Sequence, residues 1–147
     1  MANEAVIIEL LGTPPGEAIE VTVSDSATIA KGTLMIISDP RTGAASSAAF
    51  QPFIGVAAAE KDPTISGTTL AVWTNGIFDM TSVSGASADL AVAGFPVELS
   101  GANLIRKMSQ SAYGLSGATF LSGAAFEVGR ALETASANEV IAVRIRK

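Results

Sequence analysis

Ala18-Ile19-Glu20-Val21-Thr22-Val23 sets apolar, mostly β-branched side chains at every second position. Ile19, Val21 and Val23 are placed to face a core, and Glu20 and Thr22 to face water, which is the pattern of a half-buried strand. The same period recurs at the far end of the chain, where Ile141, Val143 and Ile145 alternate with Ala142, Arg144 and Arg146. Two other runs are apolar without alternation: Thr33-Leu34-Met35-Ile36-Ile37-Ser38 and Phe53-Ile54-Gly55-Val56-Ala57. Runs of that length and composition read as central strands covered on both faces. Sustained 3.6-residue periodicity is absent, so the chain is a β protein.

Three strand pairs are expected along the chain. Leu70-Ala71-Val72-Trp73 and Ile77-Phe78-Asp79-Met80 flank Thr74-Asn75-Gly76, and Asn-Gly supplies the positive φ angles of a tight hairpin turn. Phe95-Pro96-Val97-Glu98-Leu99 and Leu104-Ile105-Arg106-Lys107-Met108 flank Ser100-Gly101-Ala102-Asn103, with Pro96 confined to an edge or a strand start. Phe126 to Leu132 leads through Ser136-Ala137-Asn138 into the last strand. Asp39 to Ser47 reads as a turn-rich loop, as do the small-residue segments Ser82 to Asp89 and Ser109 to Ser122. Alanine is frequent enough in 44–49 and 84–93 to allow a helical turn or two.

The N-terminal run Ala5-Val6-Ile7-Ile8-Glu9-Leu10-Leu11 ends at Gly12-Thr13-Pro14-Pro15-Gly16, where the double proline reads as a stiff extended hinge. Two readings fit: a strand of the chain's own sheet, or an arm that pairs elsewhere. Fifteen extended residues reach about 50 Å, enough to touch a neighbouring subunit and to add a strand to an open sheet edge.

Composition narrows the chemistry. The 147 residues suit one compact domain with a core of its own, 48% of them hydrophobic and 16% charged. There is no Cys and no His, so disulfides, thiol nucleophiles, Ser-His-Asp triads and the common zinc ligand sets are excluded. Nine Lys and Arg against fourteen Asp and Glu give a net charge of −5, the wrong sign for collecting phosphates, so no nucleic-acid partner is expected. Met1-Ala2-Asn3-Glu4 lacks a positive leader region, and no apolar run approaches the ~20 residues of a membrane span. The chain reads as soluble and unexported, with no membrane partner.

Local motifs resolve to structural readings. Asp25-Ser26-Ala27 resembles the Asp-Ser/Thr-Gly turn of dimeric aspartic proteases, but Ala stands where Gly is needed; Asp25 reads as a turn residue bonding its own backbone. Gly114-Leu115-Ser116-Gly117 lacks the glycine spacing and the base of a nucleophile elbow. Thr28-Ile29-Ala30-Lys31-Gly32 reads as a strand lead-in with Lys31 in solvent and Gly32 at a turn. Asp39 before Pro40, Asp62 before Pro63 and Glu60-Lys61 read as turn initiation and loop solvation. Trp73, the single Trp, fits a core plug and an exposed contact equally well. Arg144, Arg146 and Lys147 could pair with acidic neighbours, and read by default as a solvated edge.

Several of these segments together resemble the capsid decoration or cement proteins of tailed viruses. The residues that carry the likeness are Ala30-Lys31-Gly32-Thr33-Leu34-Met35, Phe53-Ile54-Gly55-Val56-Ala57 and Thr74-Asn75-Gly76-Ile77-Phe78-Asp79, and above all Val128-Gly129-Arg130-Ala131-Leu132-Glu133 followed by Val143-Arg144-Ile145. The resemblance covers residues 18 to 147, in the same order. It implies a small β-barrel-like domain, a homotrimer on the outer surface of an icosahedral head, binding to the major capsid protein, and no enzyme activity or cofactor. The expected fold is therefore all-β, mainly strands with one or two short helices, as a small β-barrel-like or β-sandwich domain with an extended N-terminal arm. Residues 1–16 form the N-terminal arm or edge strand with its Pro hinge, and residues 17–147 a single β-rich decoration domain. Val6, Ile7, Ile8, Leu10, Pro14, Pro15 and Trp73 are the expected capsid or subunit contacts; no catalytic, cofactor or metal residue is expected. The protein would be made in the host cytoplasm and end on the virion. Another virion component, such as a head-fibre base or tail protein, and a carbohydrate-binding β module are the alternatives, the latter relying on Trp73 or Tyr113.

Overall fold

The computed structural model describes residues 3–108 and 126–147; the expected small-residue segment 109–124, with Tyr113 and the Gly114-Leu115-Ser116-Gly117 turn, lies outside them. Eleven strands are described: β1 (Val6–Leu10), β2 (Ile19–Thr22), β3 (Leu34–Ser38), β4 (Thr42–Ala45), β5 (Phe53–Ala57), β6 (Thr69–Trp73), β7 (Asn75–Ser82), β8 (Pro96–Gly101), β9 (Leu104–Lys107), β10 (Glu127–Ala131) and β11 (Val140–Arg146). The expected β protein is observed, as two closed barrels in succession. Strands β2-β4-β3-β5-β6 close the first. The second runs β7-β11-β10-β8-β9 and closes by a parallel pairing of β9 with β7, Thr81 opposite Leu104 and Ser82 opposite Ile105.

Strands β3 and β5 explain their unbroken apolar sequences. Met35, Ile54 and Ala57 fill the first barrel with Val21, Val23, Ile29, Leu70 and Val72. Leu34, Phe53 and Val56 point the other way, into a second cluster shared with Phe78, Met80, Leu99, Ile105, Val128 and Ile145 of the second barrel. Each large side chain so buried contributes about 2 kcal/mol; β5 is buried along its whole length, while β3 is buried at Leu34 and Met35 and half-buried at Ile36 and Ile37. The turn between β8 and β9 locks the barrels laterally. Asn103 Oδ1 accepts from Leu34 N at 2.9 Å, Asn103 N donates to Ser46 Oγ at 3.1 Å, and Ala48 bridges to Gly101.

The alternating strands place their residues as read: Val21 and Val23 are buried while Glu20 and Thr22 are exposed, and Ile141, Val143 and Ile145 are buried. Both C-terminal hairpins form, β8 with β9 and β10 with β11, and Pro96 begins its strand.

The hairpin expected around Asn75-Gly76 does not form. Strand β6 pairs with β2 and β5, and β7 pairs with β1, β9 and β11; Asn75 and Gly76 lie inside β7, so Thr74 is the crossing point between barrels. Gly76 serves close approach instead: a Cβ there would sit 2.7 Å from Glu9 O of β1 and 2.8 Å from the Phe78 ring. No α-helix occurs among the described residues, and the helical piece present is the 3-10 turn Pro15–Glu17. Ala44 and Ala45, expected in a loop or helical turn, belong to β4 opposite Ile36 and Met35. Their neighbour Gly43 lets the wall close, since a Cβ there would meet Val21 Cγ2 at 2.6 Å. The 84–93 segment turns at Ala86–Asp89 rather than forming a helix, as its Gly and Ser favour. Arg144 and Arg146 lie on β11, which is flanked by β10 and β7 and is not an edge.

Lys61, expected in solvent, is 5% exposed. Its ammonium donates to Asp25 O and Asp62 O at 2.9 Å and to Ile65 O at 3.0 Å, with Asp25 Oδ1 at 3.8 Å. Three donors meet three carbonyls, so two loops of the first barrel are fastened through one cation. Asp25 does occupy a turn, and its carboxylate accepts from Gly67 N at 3.4 Å rather than from its own turn. Asp62 caps its turn as read, accepting from Thr64 N and Thr64 Oγ1, each at 2.7 Å.

Two outcomes follow from this loop pair. Lys61→Met leaves the carbonyls without a donor and is expected to cost about 2 kcal/mol in urea unfolding, with the spectrum of the folded state retained. The Thr64 hydroxyl, then its amide and the Lys61 charge, hold the Asp62 carboxyl below its ordinary range. Thr64→Val is expected to raise that pKa in an NMR titration. Because the folded value is the lower one, the stabilisation is fully present above the ordinary carboxylate value and is lost as pH falls from there through the lowered folded value.

Candidate functional site

Strand β1 is built by apolar residues that serve two faces. Ile7 and Leu10 pack against the second barrel's core, while Val6 is 62% and Ile8 51% exposed. One edge of β1 pairs antiparallel with β7, Val6 opposite Asp79 and Leu10 opposite Gly76, with a bulge at Ile8. Among the described residues its other edge carries no strand, since β1 ends the sheet order; Ala5 N, just before it, is tied to Gly32 O at 2.7 Å. An open edge with exposed branched side chains is a template for a strand from another chain.

The proline segment turns the chain sharply instead of extending it. Gly16 N donates to Leu11 O at 2.7 Å and Glu17 N to Pro14 O at 3.0 Å. The turn is then fastened to the crossing between barrels: Thr74 N reaches Gly16 O at 2.9 Å, Thr74 Oγ1 donates to Glu17 O at 2.6 Å, and Asn75 Nδ2 donates to Glu17 Oε2 at 2.6 Å. Gly16, at φ +80°, is required twice: its conformation disfavours a side chain, and a Cβ would lie 2.4 Å from Trp73 Cδ1. Trp73 is half-buried, with its ring 6.1 Å from that of Phe78 and the Lys31 ammonium 5.4 Å from its centroid.

The extended arm of the expected fold is thus not observed; Val6–Leu10 is an edge strand, because Ile7 and Leu10 bury apolar surface on a core the same chain provides. The structure gathers Val6, Ile7 and Trp73 around one open hollow of 350 Å³, together with Ala5, Lys31 and Gly32. Lys31 is exposed and Gly32 turns at φ +90°, as read. Ile8 stands on the same strand in solvent, whereas Pro14 and Pro15 are exposed in the turn after β1 and do not line the hollow.

A family model described as phage cement protein matches residues 13–146, which is nearly the whole chain. The chain belongs to the phage cement protein family. This is a structural family, and membership makes the chain a capsid component of the phage virion. No curated protein matches the sequence. The matched span of the cement protein takes in both barrels and the proline turn, while β1 precedes it.

Other exposed large apolar residues of the cement protein were not singled out from sequence: Phe50, Ile65, Phe95, Leu132 and Val140. Phe50 adopts φ +58°, a strained setting for an aromatic residue, and the Arg106 guanidinium lies 4.6 Å from its ring. Arg106 in turn donates to the fully buried Glu98 at 2.9 Å. Nothing in a lone Phe in an Ala/Ser-rich stretch signals such an arrangement.

Gly16→Ala is expected to unseat the indole. As Trp73 is the single Trp, its emission should shift to longer wavelength, and stability should fall by about 2 kcal/mol in a urea series.

Proposed function

We propose that the protein binds the outer surface of an expanded icosahedral head as a homotrimer and ties neighbouring major capsid protein subunits together. The observation that supports this most directly is the β1 edge: a row of backbone groups unpaired among the described residues, carrying Val6 and Ile8 in solvent beside the Trp73 hollow. A strand of a capsid subunit would complete its hydrogen bonds there and cover its apolar side chains. Residues 17–147 act as one decoration domain in this reading, supported by the core the two barrels share. A trimer fits the same logic, because three linked contacts of modest strength add into firm retention on a lattice. Synthesis in the host cytoplasm completes the reading. The carbohydrate-module alternative has less support, since the half-buried Trp73 indole packs on Gly16 and the core with the Lys31 ammonium 5.4 Å from its centroid, and Tyr113 lies outside the described residues.

Deletion of 1–15 is a poor test, because it strips Ile7 and Leu10 from the core. The informative variant is Val6→Lys with Ile8→Lys, both in solvent already. Purified protein is mixed with expanded shells that lack it and sedimented, with the free protein's mass read by light scattering. The wild type is expected to bind saturably at a fixed ratio and the double variant about tenfold more weakly, with its mass and fold unchanged. Absence of binding by the wild type would overturn the capsid reading; equal binding by the variant would overturn the role of β1.

A further inference from the structure

The acidic chain concentrates positive charge in one place. Arg130, Arg144, Arg146 and Lys147 are four of its nine basic residues, and together with Glu127, Val128 and Gly129 they line a cleft of 470 Å³ on the second barrel. Arg130 and Arg144 stand directly opposite each other on β10 and β11. Like charges at such a position destabilise a sheet, so an ordinary structural role gives no reason for the pair. The strands are also held close, because Gly129 leaves no room for a Cβ against Arg144 O.

The arginines have little to satisfy them. Arg130 Nη1 donates to Gly94 O at 3.2 Å, and Arg144 Nη2 reaches Asn75 Oδ1 only at 3.5 Å. The Nε of Arg144 is buried and has no acceptor among the described residues. Among the described residues Arg130, Arg144 and Arg146 form no ion pair with a carboxylate. The segment 109–125 contains no Asp or Glu, so it has no side-chain carboxylate to offer either.

We propose that this cleft is a recognition site for carboxylates, and that its occupant is an acidic segment of a partner protein. Guanidinium groups bind carboxylates through paired, charge-assisted hydrogen bonds, which would supply the acceptor Arg144 Nε lacks and cancel the repulsion between Arg130 and Arg144. A protein segment fits better than a nucleic acid: the positive field is confined to one cleft of a molecule whose net charge is −5, so an extended phosphate backbone would be repelled beyond it. This site is separate from β1 and stands or falls independently of the capsid reading.

The test uses the full chain with its arginine side chains labelled for NMR. A hexaglutamate peptide is titrated at low salt, with hexaglutamine and a thymidine oligonucleotide as controls. The Arg144 Nε–H resonance is expected to shift saturably with hexaglutamate and not with hexaglutamine. Arg144→Gln and Arg130→Gln, checked for an unchanged backbone spectrum, should each weaken binding about tenfold. Loss of the backbone spectrum in one variant leaves the other, and the wild-type shift itself, to decide. No shift at millimolar hexaglutamate would overturn the proposal. So would a shift that survives both substitutions, or equal binding of the oligonucleotide, which would make the cleft a general anion site.

Discussion

The architecture rests on two strands that belong to two cores at once. In β3 successive side chains point to opposite faces, and in β5 a register shift beside Gly55 resets the alternation, so Met35, Ile54 and Ala57 enter one barrel while Leu34, Phe53 and Val56 enter the cluster shared with the other. A one-residue slip of either strand would exchange the two sets and leave both cores misfilled. That double constraint fixes how the barrels meet. Asn103, held between Leu34 N and Ser46 Oγ, secures the same junction from the side with polar bonds that no apolar contact could orient so narrowly.

Around this joint, the surfaces that remain for other molecules are specialised by what the cores do not use. Strand β1 gives Ile7 and Leu10 to the core and keeps Val6 and Ile8 outside. The proline turn returns the chain to Thr74 and Asn75, where it closes over Trp73. In the function proposed above, a strand mounted on a rigid barrel would lose less entropy on binding than a free arm. The basic cleft between β10 and β11 lies on the outward face of the barrel strands whose inward residues, Val143 and Ile145, belong to the core.

The sequence was most legible where a strand has one wet face. Ile19-Val21-Val23 and Ile141-Val143-Ile145 announce their burial by period alone, and the Ser100–Asn103 and Ser136–Asn138 turns mark hairpins whose partners are adjacent in sequence. It was least legible where a partner is distant or made of backbone. Asn75-Gly76 carries a turn signal, yet β1 and β11 claim it as strand and Gly76 is needed for the approach of Glu9 O. Lys61 has the look of a loop cation because its partners are carbonyls, which every sequence has everywhere.

By itself the sequence determined the class of the protein: all-β, free of Cys and His chemistry, apolar beyond ordinary surface needs, and carrying short motifs of the cement family. Those properties depend on residue type and local period, which a linear chain displays directly. Tertiary structure alone decided that there are two barrels rather than one, and that the N-terminal run is an edge strand instead of an arm. It also decided that four basic residues share a cleft. Each of these depends on which distant edges pair. That choice is made by the total apolar surface buried when β3 and β5 are covered on both sides, a quantity no single segment contains.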